Sequence, residues 1–224
     1  MNKKWSEELK EIRVLLKNEK NFFEGKKKLL EFRYELFCEW EKFFDIQRDF
    51  LFEMPYQNSK GYDSKNIAYS IYHVFRIEDI VSNTLISDNE EIILLSNYEF
   101  PIMTTGNELV GMEIKNTLIT MNIEKLHEYI KKVYDTTNDI IEKLEYSDLK
   151  KKIPSENREK LINEKSVNEK NLGLVDYWCD KDVLGLINMP LTRHWIMHLE
   201  ASKRIENGLK KVKKRWDFLI CMVF

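Results

Sequence analysis

The stretch Met189-Pro190-Leu191-Thr192-Arg193-His194-Trp195-Ile196-Met197-His198-Leu199-Glu200 carries two of the chain's four histidines, four residues apart. In a helix of about 3.6 residues per turn, both imidazoles stand on one face, one turn apart. Ala201 and Ile205 continue that stripe, so the pair is expected on the buried side. Pro190 suits the first turn of such a helix, where its missing N–H costs nothing. Buried imidazoles need partners, because each unsatisfied buried polar group costs roughly 1–3 kcal/mol. A metal ion would satisfy both, and so would hydrogen bonds in a packed core. The spacing alone leaves the two readings open.

Outward from this stretch the pattern stays helical. The helix is expected to run to about Lys214, and residues 215–224 then form an apolar tail far too short to span a bilayer. Packing onto the fold is the first expectation for the tail, with a partner interface or a membrane-surface anchor as alternatives. On the other side, Leu172 to Ile187 reads as one shorter helix carrying Val175, Trp178 and Leu186. Ser147 to Lys170 is highly charged and reads as a solvated surface segment. Asn122 is placed to cap a helix ending near Leu144, with Leu126, Ile130, Val133, Ile140 and Leu144 on one face and His127 off it, at the surface. Asp88 to Met121 reads as a long connection with a short helix near Glu113 to Thr120.

Nearer the N-terminus, Ser64 is a reasonable cap for a helix to about Ile86, in which Ile67, Ile71, Val74, Ile77, Val81 and Leu85 repeat at helical spacing. His73 sits at the edge of that stripe. Arg76 and Ile80 point nearly with it, while Glu78 and Asp79 project well away. Arg76 has an obvious structural role, pairing with a carboxylate from another helix. Phe50 to Gly61 reads as a connection. Lys26 to Asp45 forms a helix with a wide aromatic stripe of core type, and Trp5, Leu9, Ile12 and Leu16 mark an amphipathic first helix interrupted near Asn18–Asn21.

Composition agrees with an all-α protein. Only 7 Gly and 4 Pro punctuate 224 residues, which favours long helices over many short strands. A 43% hydrophobic and 33% charged chain suits a soluble, charge-rich helical fold. Its formal charge of −2 provides no electrostatic footprint for nucleic acid. Cys38, Cys179 and Cys221 are far apart and odd in number, as expected of free thiols in a reducing cytoplasm. The first residues show neither a signal peptide nor a membrane span. One domain covering 1–224 fits better than two.

Three histidines thus have helical addresses near the core: His73, His194 and His198. Three imidazoles leave a divalent cation with at least one open position, as catalytic sites require, and zinc, nickel and iron all accept imidazole. A bound water or thiol would have its pKa lowered by such an ion. No Walker loop, G-x-S-x-G, C-x-x-C or dinucleotide fingerprint competes. Trp195 stands where a zinc peptidase of the H-E-x-x-H type has its glutamate, so no general base is visible.

Tyr72-His73-Val74-Phe75-Arg76-Ile77-Glu78-Asp79-Ile80 resembles the second-helix signature of the DinB-like (DinB/YfiT) superfamily, a His followed by Arg-x-Glu-Asp. Thr105-Gly106-Asn107-Glu108, Gly173-Leu174-Val175-Asp176-Tyr177-Trp178 and Met189 through Leu199 are similar to later blocks of a bacterial branch of it, in the same order. The resemblance reaches from about Ile67 to Arg204. It implies a four-helix bundle with long crossover connections and extra short helices, and a metal held by His73, His194 and His198. It also implies an enzyme that uses a low-molecular-weight thiol or another small-molecule substrate, such as a thiol-dependent transferase or metal-assisted hydrolase. Arg76, or less favourably Arg193, would orient an anionic group, and Asp176 and Tyr177 would be pocket residues. The alternative is a non-catalytic, stress-related bundle that binds metal or a partner. The apolar tail makes a homodimer conceivable.

Overall fold

The computed structural model describes residues 2–57, 59–61, 63–96 and 98–213, together with the backbone of 214–223. The elements in order are α1 (Lys3–Leu16), α2 (Phe22–Glu41), α3 (Arg48–Phe52), α4 (Ile67–Asp79), α5 (Ile92–Leu95), α6 (Met112–Leu118), α7 (Ile123–Lys143), α8 (Ser155–Asn163), α9 (Gly173–Cys179), α10 (Val183–Asn188) and α11 (His194–Val223). The described residues form no strand, only two isolated bridges, Gln57 with Asp63 and Lys152 with Asp182.

The stripe in α1 buries Trp5, Leu9, Ile12 and Leu16 as its spacing requires. A 3₁₀ turn at Glu19–Asn21 then reverses the chain, and α2 packs back along α1. Gly25 sits at this crossing. A Cβ there would lie 2.8 Å from the Leu16 nitrogen, so the two backbones approach only because the residue is glycine. Leu29, Phe32, Leu36, Phe37 and Trp40 of α2 enter the core, confirming the core character of its aromatic stripe.

α4 is the central element, and all of its residues from Ile67 to Asp79 are buried. Its cap is Asn66, whose side chain accepts from the Tyr69 amide at 2.7 Å, two residues later than the expected Ser64. It packs on α7 and α11, and α2 packs on the same two helices. Around Trp195 the core is aromatic: Phe75 lies 4.7 Å away between ring centroids, and Phe37 stacks on Tyr134 at 4.0 Å.

The burial of α4 exceeds what a one-sided stripe predicts, because its polar residues are paired inside. Arg33 of α2 grips Glu78 through Nη2 (2.7 Å to Oε1) and Nη1 (3.3 Å to Oε2). Nη1 also donates to the Leu191 carbonyl, and Nε to Asn138. Asp79 accepts from the Ile92 and Ile93 amides and the Tyr129 hydroxyl, so one carboxylate caps α5 and ties down α7. Burial raises the pKa of both carboxylates, opposed in turn by Arg33 and Arg76.

Two π-helical segments adjoin this frame: Ile80–Ile86 continues α4, and Met189–Arg193 leads into α11. Pro190 lies in the second of them. Elsewhere the structure corrects three expectations. Leu172 to Ile187 is two helices, α9 and α10, because the chain turns at Asp180–Asp182, where Asp182 caps the Gly185 amide. Ser147 to Lys170 is more than a solvated segment: Leu149, Leu161 and Val167 are buried, and Asn157 donates to the Thr84 carbonyl at 2.7 Å. His127 is half-buried, stacked on Phe44 at 4.1 Å and bonded to Glu41. The apolar tail lies outside the residues whose side chains are described, although its backbone continues α11 to Val223. No helix among the described residues is long and apolar enough to cross a membrane.

Candidate metal centre

α4 and α11 bring His73, His194 and His198 together. Their ring centroids are 4.6–5.0 Å apart, and one ligand nitrogen from each lies within 4.8 Å of the others. No carboxylate or thiol joins this cluster among the described residues.

His73 is held from two sides. Its Nδ1 lies 2.7 Å from the Thr105 carbonyl oxygen. A carbonyl only accepts, so Nδ1 carries the proton and the lone pair is left on Nε2. The Tyr69 ring stacks on the imidazole at 5.1 Å, with 13° between the planes. This is the arrangement in which a backbone carbonyl fixes the tautomer and orientation of a metal-ligating histidine. Nδ1 of His194 and of His198 are buried with no hydrogen-bond partner. On the same two helices the hydroxyls of Ser70 and Ser202 are also buried and unpartnered. The close approach of the three rings and the unpartnered nitrogens of two of them are compatible with a cation held between the two helices.

Electrostatics keep the set neutral. Burial lowers the pKa of His73 and of His198 well below the ordinary value and that of His194 to about 3, and neighbouring positive charge adds to each shift. Neutral imidazole is the form that binds metal. The positive charge common to all three is Lys65. Its ammonium lies 5.4 Å from the centroid of the Tyr69 ring, and burial lowers its own pKa.

The loop that anchors His73 is bound by one face of α4. Tyr69 donates to the Gly106 carbonyl, Tyr72 to those of Ile102 and Thr104, and Arg76 Nε to that of Met103. With His73 on Thr105, four side chains at helical spacing bond a run of loop carbonyls, of which that of Gly106 also accepts from the Leu109 amide. Gly106 has φ +75°, and a Cβ there would press the Tyr69 ring and Ile102 at 3.2 Å.

A cavity of about 110 Å³ opens beside His73 and His194, walled by Asn107, Leu174, Tyr177, Trp178, Met189 and Pro190. Tyr177 is thus a pocket residue. Asp176 is not: it is exposed and paired with Arg158 at 2.6 Å. Arg76 is committed to Glu91 at 2.5 Å, the structural role foreseen for it, and Arg193 is exposed. The half-buried thiols Cys38 and Cys179 take no part in the cluster. Sequence reasoning missed Lys65, which lies just ahead of the Asn66 cap and so falls outside the helical register that nominated His73.

Compared with protein-family models, curated proteins and solved structures, the chain finds no match in any of the three.

Proposed function

We propose that this protein is a divalent-metal-dependent enzyme of the DinB-like type, a cytoplasmic four-helix bundle formed by α2, α4, α7 and α11. The observation that carries the reading is the convergence of three neutral imidazoles from two helices. One has its tautomer fixed by a backbone carbonyl, and the other two have unpartnered Nδ1 atoms. His73, His194 and His198 would hold the ion, which could be zinc, nickel or iron. Such an ion supplies Lewis acidity, lowering the pKa of a thiol or water so that a nucleophile exists near neutral pH. The reaction class is a thiol-dependent transfer or a metal-assisted hydrolysis on a small molecule.

The chain's own residues do the positioning. Thr105 and Tyr69 keep His73 from turning. Leu174, Trp178, Met189 and Pro190 give the cavity an apolar wall that excludes water, and Asn107 and Tyr177 supply its polar edges. The cavity favours catalysis over a purely structural ion, since a closed structural site uses a fourth protein ligand and this cluster has three. The test is metal content by elemental mass spectrometry on protein purified without a metal-carrying tag. About one divalent ion per chain is expected, with its loss in His194→Ala. Unchanged metal content in that variant would remove the proposed site.

A further inference from the structure

The cavity beside His73 and His194 is small and unevenly lined. Ile77, Leu174, Trp178, Met189 and Pro190 give it an apolar wall, and among the described residues no lysine, arginine, aspartate or glutamate lines it. The nearby charged groups are engaged outside it: Glu108 is bonded to the Thr104 hydroxyl, and Lys65 stands over the Tyr69 ring. Tyr177 is 44% exposed, so the cavity meets solvent on that side. Besides the two imidazoles, the polar group of the inner wall is the half-buried Asn107. One residue sets both Asn107 and His73. The Thr105 hydroxyl donates to Asn107 Oδ1 at 2.7 Å, and the Thr105 carbonyl accepts from His73 Nδ1, also at 2.7 Å. With its oxygen engaged, the Asn107 amide offers Nδ2, which donates to no partner among the described residues. A lone donor on an otherwise apolar wall selects for one acceptor atom at one place. An apolar cavity of about 150 Å³ takes benzene, so this one, of about 110 Å³, takes a molecule of about four or five non-hydrogen atoms.

We propose that Asn107 is the specificity-determining residue of this cavity, and that its ligand class is a small carbonyl compound, a ketone, aldehyde or ester, whose oxygen accepts from Asn107 Nδ2 while its carbon skeleton packs on Leu174, Trp178 and Met189. The inference deepens the reading above by naming the substrate class, and it rests on that reading only in taking the cavity as the place where substrate binds. At the Asn107 end no lysine or arginine accompanies the amide. The acceptor that suits it is therefore the neutral oxygen of a carbonyl and not a carboxylate, which needs a cation or several donors when its water is removed. A hydrocarbon of the same shape fills the space and leaves Nδ2 without an acceptor.

The experiment uses the full chain, treated with a chelator so that binding reports the cavity and not an ion. Proton–nitrogen NMR spectra follow the Trp178 indole N–H, which senses occupancy, and the Asn107 side-chain amide, which senses the hydrogen bond. Trp178→Phe and Asn107→Asp identify the two signals by removing them. The probes are 2-butanone, its hydrocarbon isostere 2-methyl-1-butene and its anionic isostere propanoate. In wild type, 2-butanone should shift both signals, 2-methyl-1-butene the indole alone, and propanoate neither. Asn107→Leu and Asn107→Asp should each lower the ratio of ketone to hydrocarbon affinity by about fivefold, the contribution of one neutral hydrogen bond. Asn107→Asp keeps an acceptor for the Thr105 hydroxyl and removes only the donor, so an effect confined to Asn107→Leu would mark a displaced loop and overturn the inference. An unchanged ratio in both variants overturns it too, as does propanoate binding as tightly as the ketone, or an indole signal that neither neutral probe moves. Metal content of the untreated protein decides the metal reading separately, so a chain that binds metal but shows no carbonyl preference loses this inference alone.

Discussion

One nitrogen of His73 is committed to a carbonyl, and that small fact governs the residues around it. A ring bonded through Nδ1 offers only Nε2 to anything between α4 and α11, and the stacked Tyr69 removes the freedom to flip. The opposite kind of commitment is seen at Arg33, which is fully buried against a fully buried Glu78. Removing one member of such a pair leaves an uncompensated charge, at a cost of about 3–5 kcal/mol, while replacing both by apolar groups is far milder. Arg33→Met should therefore lower stability by about that amount in urea melts, and Arg33→Met with Glu78→Leu should recover most of it. A double variant no better than the single one would show that the pair does more than neutralise itself. At this scale the sequence was readable where chemistry is rare: three histidines in helical register were enough to nominate the site. Lys65 was not readable, because lysine is common at such positions and nothing in its neighbours says that it makes no ion pair among the described residues.

α4 shows why an element can be more deeply buried than its hydrophobic pattern suggests. Its apolar stripe accounts for part of its surface. The remainder is covered because Tyr69, Tyr72, His73 and Arg76 bond the loop at 102–106, while Glu78 and Asp79 bond Arg33, Tyr129 and the start of α5. Within the His-x-x-Arg-x-Glu-Asp signature, only the histidine reaches the three-histidine cluster. The arginine and both acids hold the frame that presents it. Arg76→Met should leave Glu91 without its cation and Met103 without its donor, destabilising the protein by about 3–5 kcal/mol. The same change should weaken zinc binding roughly 10–100-fold through the loosened hold on His73. Amide exchange across 102–106, read beside zinc affinity, checks both effects. Unaltered protection of that loop would show that Tyr72 and His73 suffice to hold it. The loop was placed correctly in sequence as a connection, but its attachment was not legible, since carbonyl acceptors carry no residue signature. The split of α9 from α10 was missed for a related reason: Asp180–Asp182 contains neither Gly nor Pro, and the break is visible only through the Asp182 cap.

For the molecule as a whole, three neutral imidazoles, two buried and one partly buried, make stability depend on pH in one direction. The folded pKa values lie below the ordinary 6.5, with His194 at about 3, so below 6.5 the unfolded chain binds protons that the folded chain refuses. The stabilisation is complete above about pH 6.5 and is lost as pH falls from there toward 3. The limiting slope is about 1.4 kcal/mol per pH unit for each histidine. Urea melts of the metal-free protein between pH 7.5 and 4 should show this decline, with a shallower slope in His198→Leu. A slope unaffected by that change would place the acid sensitivity elsewhere, for instance in the exposed carboxylates. The all-helical class was legible from few Gly and Pro and from long 3.6-residue periods, because those features act locally. The degree to which the charged segment from Ser147 to Lys170 contributes to the core was not, because a few buried residues there are outnumbered by solvated ones.

The π-helical turn at Met189–Arg193, where the His194 amide bonds the Met189 carbonyl five residues back, holds one residue more than an α-helical turn would. Its consequence lies in descent. A one-residue insertion into an ancestral α-helix produces such a turn and leaves the chain on either side unchanged. A distant cousin that diverged before the insertion would line up with this chain through α10 and again from His194 onward, with a single-position gap between them. A gap at that place, ahead of a histidine pair like His194 and His198, would date the turn relative to the two histidines it precedes.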